Sequence, residues 1–220
     1  MGDGQERAIK VRIDCSLNLN EFYNDKDELV SSKRNEGGFI HVVEGALAEN
    51  EDSRNTFKVD MVITNVIHVD ADEEKELPEK AIVKGCIFDF RGALLPVEFT
   101  AVNSGAIAYF EGLEASKSNP VFTNIWGQQV SNTVVKRKVI ESAFGDDQIQ
   151  EAKYSKKDFV ITGSLRVPYE WDTEETLTAE EFGKMCSDRA TVLATKKQER
   201  DEYKAAKTAA TQPAIDKFDF

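Results

Sequence analysis

The sequence has few cysteines and no long apolar run, and both absences limit what the protein can be. Its 220 residues include three cysteines, Cys15, Cys86 and Cys186, with no CxxC spacing. An odd, scattered set predicts neither a disulfide framework nor a metal site, and it indicates a reducing compartment. No basic start with a following apolar run occurs after Met1, and no stretch of eighteen apolar residues is present. We therefore expect a cytoplasmic protein with no signal peptide and no membrane contact.

Motifs for catalysis and for phosphate binding are also missing. Neither GxxxxGK[ST] nor GxGxxG occurs, so no glycine-rich loop is available to hold a nucleotide. His41 and His68 lie in predicted strands among apolar neighbours, without an HExxH motif or a serine elbow. We interpret both as structural residues, and only carboxylates converging on one of them in a cleft would indicate an enzyme. We predict no catalytic residues, no metal site and no cofactor.

Alternating apolar and polar residues are abundant and predict a mainly β chain. Glycines interrupt four of the predicted strands, where they favour the sharp bends of a small coiled barrel, although ordinary turns would explain them as well. These glycines are Gly45, Gly85, Gly127 and Gly163. A change to helical spacing predicts a short helix at 104–113. The strands are predicted at 8–14, 39–45, 57–70, 81–90, 93–102, 121–140 and 154–167.

The C-terminal part of the sequence differs from the rest. Thr178 and Glu181 form a capping box, and the residues that follow predict a long polar helix. We expect its first half to pack on the β domain and its charged second half to project into solvent. The predicted organisation is a β-rich domain at 1–172, a helix at 173–207, and a flexible linker with an acidic tail at 208–220.

Charge is unevenly distributed along the chain. The net charge of -12 argues against a general polyanion binder, because phosphate contacts require many Lys and Arg residues. Residues 131–166, however, hold seven basic and five acidic residues. Single-strand binders combine such cations with rings on which bases stack. An ordinary solvated hairpin, with Trp126 and Phe159 in the core, would also explain the pattern. The candidate nucleic-acid-binding residues are Trp126, Lys136, Lys138, Tyr154, Lys156 and Arg166.

The sequence ends in IDKFDF, which places two aromatic rings beside carboxylates. A phenylalanine can enter an apolar pocket of a partner while the acidic groups steer it toward basic residues. A terminus without a role is the alternative. The candidate partner-binding residues are Asp216, Phe218, Asp219 and Phe220.

A barrel, a basic aromatic hairpin and an acidic end together resemble the phage-type single-stranded DNA-binding proteins with an OB-fold. Residues 94–131 and 168–181 also resemble proteins of tailed phages. The resemblance implies an OB-like small coiled barrel with elaborations, followed by a long C-terminal helix. It assigns Asp216, Asp219 and Phe220 to a tail that recruits replication partners and competes with DNA. The long helix and the long N-terminal section depart from the usual pattern.

The expected function is single-stranded DNA binding in phage replication or recombination, without catalysis, in the cytoplasm of an infected bacterial host. The expected partners are single-stranded DNA and, through the tail, replication or recombination proteins, and an oligomer is possible. The alternative is an acidic protein-interaction factor, such as a virion assembly protein or an inhibitor of a host nucleic-acid enzyme. The overall negative charge favours this alternative.

Overall fold

The computed structural model describes residues 9–44, 54–72, 77–140, 148–173 and 176–215, and their side chains except at 132–140, 148–150, 152–156 and 209–215. Nine elements follow one another along these residues. They are β1 (Val11–Tyr23), β2 (Leu29–Val42), β3 (Thr56–Val69), β4 (Lys80–Phe88), β5 (Leu94–Ala101), α1 (Ser104–Gly112), β6 (Val121–Ile140), β7 (Gln148–Ser164) and α2 (Ala179–Ile215).

Strand alternation builds a closed barrel from five of these elements. In β4 every second residue from Ala81 to Ile87 is buried, and in β5 the buried Val97, Phe99 and Ala101 alternate with more exposed residues. Because successive side chains of a strand point to opposite faces, one set fills the interior and the other remains outside. The strands are hydrogen-bonded in the order β3-β4-β5-β7-β6, and β6 pairs with β3 to close the barrel.

The barrel has the strand order of an OB-like fold. Strand β3 is antiparallel to both β4 and β6, and β6 is antiparallel to β7. Strand β5 meets β7 in parallel, with Thr100 beside Val160, and α1 connects β5 to β6. A five-stranded closed barrel of this kind is typical of OB-like domains. The prediction of a mainly β chain with an OB-like barrel and a long C-terminal helix is therefore confirmed.

Three phenylalanines from different strands meet inside the barrel. The ring of Phe57 stacks on Phe99 at 5.0 Å between centroids, and Phe159 meets both rings edge-on at 5.6 Å. Stacked and edge-to-face pairs of this kind stabilise a core by more than their buried area alone. They fix which faces of β3, β5 and β7 point inward.

Two of the strand glycines stand where neighbouring backbones come very close. A Cβ atom at Gly85 would collide with the carbonyl oxygen of Val62, and one at Gly127 with that of Val160. The strand register also shifts near each glycine, between Ile63 and Asn65 and between Trp126 and Gly127. The glycines therefore allow the bends through which the small barrel closes. Gly45 lies outside the described residues.

The chain folds into two compact units, in contrast to the single β domain predicted at 1–172. The barrel unit takes its described residues from Ala48–Ile87 and Pro96–Glu170. The other unit takes its described residues from Met1–Leu47, Phe88–Leu95 and Trp171–Phe220. The strands β1 and β2 form a separate two-stranded sheet in this second unit. A two-stranded hairpin is marginal by itself, so it needs packing from another element.

Helix α2 supplies that packing through arginine contacts. The Arg189 guanidinium lies 2.6 Å from the Glu21 carboxylate of β1 and donates a 2.9 Å hydrogen bond to the Leu94 carbonyl oxygen. These side chains are well covered, with 17% of Arg189 and 6% of Glu21 exposed. Further along the helix, Arg200 contacts Asp27 in the β1–β2 turn. The expectation that the charged half projects freely into solvent is thus wrong, because ion pairs replace apolar packing there.

The ends of α2 are set by local sequence. The Thr178 hydroxyl accepts a 3.1 Å hydrogen bond from the Glu181 N–H, and the Glu181 carboxylate accepts one of 3.0 Å from the Thr178 N–H. The bond from the Thr178 N–H, and then a 2.9 Å bond that the Thr178 hydroxyl donates to the same carboxylate, lower the pKa of Glu181. The reciprocal bonds form the predicted capping box. The helix continues to Ile215 rather than stopping at 207, because its alanine-rich end has high helix propensity. Neither described helix is long and apolar enough to cross a membrane.

Replacing Arg189 with Met should destabilise the second unit by about 3 kcal/mol, because the covered Glu21 carboxylate would lose its partner. Urea unfolding followed by Trp171 fluorescence in a Trp126→Phe background would measure the change. The double variant with Glu21→Met should recover most of the loss. An unchanged urea midpoint for Arg189→Met would show that the ion pair does not hold α2 to the β1–β2 sheet.

Candidate nucleic-acid interface

Strands β6 and β7 are paired far beyond their contact with β3. The pairing of β6 with β3 covers Val121 to Gln128, whereas its pairing with β7 continues to Ile140 opposite Gln148. Residues 130–140 and 148–158 therefore form a two-stranded extension, here called the β6–β7 arm. The arm contains six basic and two acidic residues in an otherwise acidic chain. The predicted antiparallel hairpin in this region is present.

The backbone register relates the predicted residues of the arm to one another. Lys136 is opposite Ala152 and Lys138 opposite Gln150, while Tyr154 is opposite Val134 and Lys156 opposite Asn132. These four predicted positions belong to the same alternate set of the paired strands. Residues of one set occupy one face of a ribbon. Arg137, Lys153 and Lys157 belong to the other set.

On the barrel, Trp126 is the first exposed residue of the same alternate set of β6 positions, which we call the outer set. Its side chain is 39% exposed, while its neighbours Ile125 and Gly127 are buried. The indole packs over Gly163 of β7, where any added Cβ atom would collide with the ring. Trp126 is therefore a fixed surface ring and does not belong to the core. Phe159, the other ring for which a core position was considered, is 4% exposed and packs inside the barrel.

Arg166 follows the end of β7 and is exposed. It lines a cavity of about 750 Å³ between α1 and β7, and Gly163 lines the same cavity. Gly163 therefore contacts Trp126 and also lines the cavity that Arg166 lines. The tail residues Asp216, Phe218, Asp219 and Phe220 lie outside the described residues.

A segment after β7 determines where the outer face of β6 is covered. The Tyr169 N–H donates to the Phe122 carbonyl oxygen at 2.8 Å, and the two rings lie 4.8 Å apart. The Asp60 carboxylate accepts hydrogen bonds from the Tyr169 hydroxyl at 3.1 Å and from the Asn124 amide at 2.7 Å. Burial, and then the Asp60 charge, raise the pKa of Tyr169. Phe122 and Asn124 are therefore covered, and the exposed outer positions of β6 begin at Trp126.

His68 is surrounded by carboxylates, contrary to the prediction of apolar neighbours. Its Nδ1 lies 2.6 Å from Glu111 of α1, and its Nε2 lies 3.3 Å from both Asp70 and Glu79. The hydrogen bond with Glu111, and then the three negative charges, raise the pKa of His68 despite some desolvation. Three carboxylates that are separate in sequence could not be assigned to His68 by any local motif.

Carboxylates around a histidine are the arrangement that would indicate an enzyme. Both ring nitrogens of His68 are engaged by carboxylates, which come from α1 and from the two ends of the β3–β4 connection. We therefore assign His68 to a structural tie between α1 and the two ends of the β3–β4 connection. In the part of the chain that the structure describes, no group of three or more His, Cys, Asp or Glu side chains could hold a metal ion.

Replacing His68 with Gln should destabilise the barrel in a pH-dependent way. A raised folded-state pKa means that the contribution of His68 is complete below its ordinary value of 6.5 and is lost as the pH rises through the folded-state pKa. The difference in unfolding free energy between wild type and variant should therefore be largest below about pH 6 and should shrink as the pH rises above the ordinary pKa of histidine. Urea titrations at each pH would measure it. A difference independent of pH, or one unaffected by a Glu111→Gln background, would contradict this role.

Comparison with known protein families gives a match over most of the chain. A family model described as YorF matches residues 1–201. No curated protein and no solved structure matches the chain. Because the matched region includes the barrel, the β1–β2 sheet and most of α2, the chain belongs to the YorF family.

Proposed function

We propose that this protein binds single-stranded DNA without catalysis and acts in phage DNA replication or recombination. The observation that carries the proposal is the continuous outer set of positions from Trp126 into the β6–β7 arm. An exposed ring stands at its start, and Lys136, Lys138, Tyr154 and Lys156 follow in the same alternate set. The phage setting rests on the sequence resemblance.

The physical basis is the combination of stacking and charge. A base can stack on the exposed indole of Trp126, which packs against Gly163. The phosphates that follow would meet the lysine positions of the arm, and OB-like barrels commonly bind oligonucleotides. The net charge of -12 does not oppose this mode, because the arm itself holds six basic residues and only two acidic ones. Arg166, beyond the end of β7, extends the basic positions on the barrel side.

The C-terminal residues Asp216, Phe218, Asp219 and Phe220 complete the proposal as a tail that recruits replication or recombination proteins. Their residue types support it: phenylalanine supplies an apolar anchor and the carboxylates provide electrostatic steering. The tail and the arm have opposite charge, so the two could also attract one another.

Anisotropy of labelled oligo-dT would test the proposal through matched variants. Trp126→Ala should weaken binding by about 5- to 150-fold, since a stacked base contributes roughly 1–3 kcal/mol, while Trp126→Phe should retain most affinity. Replacing Lys136, Lys138 and Lys156 together with Gln should lower the slope of log affinity against log salt by about 2.

The control for this triple variant removes the same charge from the other alternate set. Replacing Arg137, Lys153 and Lys157 together with Gln should leave the slope close to that of the wild type. Equal effects of the two triple variants would refute a preferred face. Absence of binding at micromolar protein and low salt would refute the function itself.

A second candidate function is the acidic protein-interaction factor, such as a virion assembly protein or an enzyme inhibitor. One observation favours it: Phe39, Ile40 and Val42 of β2 are exposed by 78%, 68% and 70%. Neighbouring exposed apolar residues often mark a surface for a protein partner. Under this alternative, replacing Ile40 with Ser would affect the protein complex, and the oligonucleotide assay would give no binding.

A further inference from the structure

The cavity between α1 and β7 has properties of its own. Its volume is about 750 Å³, which is within the usual range of roughly 300–1,000 Å³ for sites that hold small molecules. Apolar residues line much of its wall, including Val102 just after β5, Ala106 and Phe110 of α1, Ile161 of β7 and Leu165 after β7. Phe110 and Ile161 are almost completely buried, so the floor of the cavity is part of the core.

Some polar groups in the wall are already satisfied. The Tyr109 hydroxyl donates a 2.7 Å hydrogen bond to the Leu165 carbonyl oxygen, which ties α1 to the segment after β7. The Ser164 hydroxyl donates to the Asn124 carbonyl oxygen at 3.2 Å. The Tyr109 bond holds the two sides of the cavity in position, and both bonds leave little need for a ligand to satisfy either hydroxyl.

The polar groups left over are hydrogen-bond donors. Asn103 uses its Oδ1 to accept a 2.8 Å bond from the Gly105 N–H, so its NH₂ group remains available. Arg166 and the Thr162 hydroxyl form no hydrogen bond or ion pair within the described parts of the chain. Among the described residues of the wall, none is acidic and Arg166 alone is charged. In a chain with net charge -12, this acid-free wall favours an anionic ligand.

We propose that this cavity binds a small amphipathic anion, namely an apolar ring or chain that carries one phosphate or carboxylate group. The apolar part lies against Ala106, Phe110 and Ile161, and the anionic group accepts hydrogen bonds from Arg166 and Asn103. A planar guanidinium can bind either kind of oxyanion through two parallel bonds. The cavity wall includes neither Trp126 nor any residue of the arm, and it shares only Arg166 with the proposed DNA interface, so anion binding does not require the stacking position.

Calorimetric titration with three probes of the same apolar group would test the proposal. 1-Naphthyl phosphate and 1-naphthoate are the anions, and 1-naphthylmethanol is the neutral control. We expect each anion to bind one site, at least tenfold more tightly than the alcohol. Arg166→Met should weaken both anions at least tenfold and leave the alcohol unchanged, while Arg166→Lys should have a smaller effect. The tighter of the two anions identifies the preferred head group.

Two further variants separate the site from the rest of the molecule. Ala106→Trp should fill the cavity and remove binding of all three probes, with circular dichroism showing that the fold is kept. Lys117→Met, which changes an exposed cation outside the cavity wall, should bind the probes like the wild type. Equal affinity for the alcohol and the anions, unchanged binding by Arg166→Met, or absence of anion binding at millimolar concentration would overturn the proposal.

The test also distinguishes this site from the proposed DNA interface. Trp126→Ala should keep the affinity for 1-naphthyl phosphate, and Ala106→Trp should keep the affinity for oligo-dT. Loss of DNA binding alone would refute the proposed function, and loss of anion binding alone would refute the cavity site.

Discussion

The close passage of one strand backbone against another at Gly85 and Gly127 is the constraint on which the barrel depends. A side chain at either position would collide with the carbonyl oxygen of the adjacent strand. Closure at these glycines fixes which alternate residues of β6 and β7 face the interior, so that Ile125 and Phe159 point inward. Since alternate residues of a strand occupy opposite faces, Trp126, which follows Ile125, points outward. The candidate interface is thus a consequence of barrel closure.

A segment after β7 covers the first outer residues of β6 and so determines where the exposed surface begins. Tyr169 and Asp60 are far apart in sequence, yet their hydrogen bond fixes a segment over Phe122 and Asn124. Beyond that segment, the exposed ring of Trp126 leads to an arm whose backbone is paired as far as Ile140 and Gln148. A surface that begins with a ring and continues with lysine positions has the order that a single strand requires: a base to stack and phosphates to neutralise.

Strong periodic patterns made much of the fold predictable from sequence. Alternation gave β6 its observed bounds, Val121–Ile140, and the Thr178–Glu181 spacing gave the start of α2. Contacts between distant residues were not predictable. Nothing local indicates that Arg189 meets Glu21, or that Glu111 meets His68. The separate β1–β2 unit was missed for the same reason, since its partner helix follows about 150 residues later.

Trp126 stacking against bases is the central claim, and tryptophan emission tests it most directly. The chain has two tryptophans, and Trp171 belongs to the other unit, with its ring 5.8 Å from that of Phe182. In a Trp171→Phe variant, titration with oligo-dT at low salt should quench the emission of Trp126 in a saturable way. A Trp126→Phe variant, in which Trp171 alone emits, should show no comparable quenching. Quenching of Trp171 without quenching of Trp126 would contradict the account.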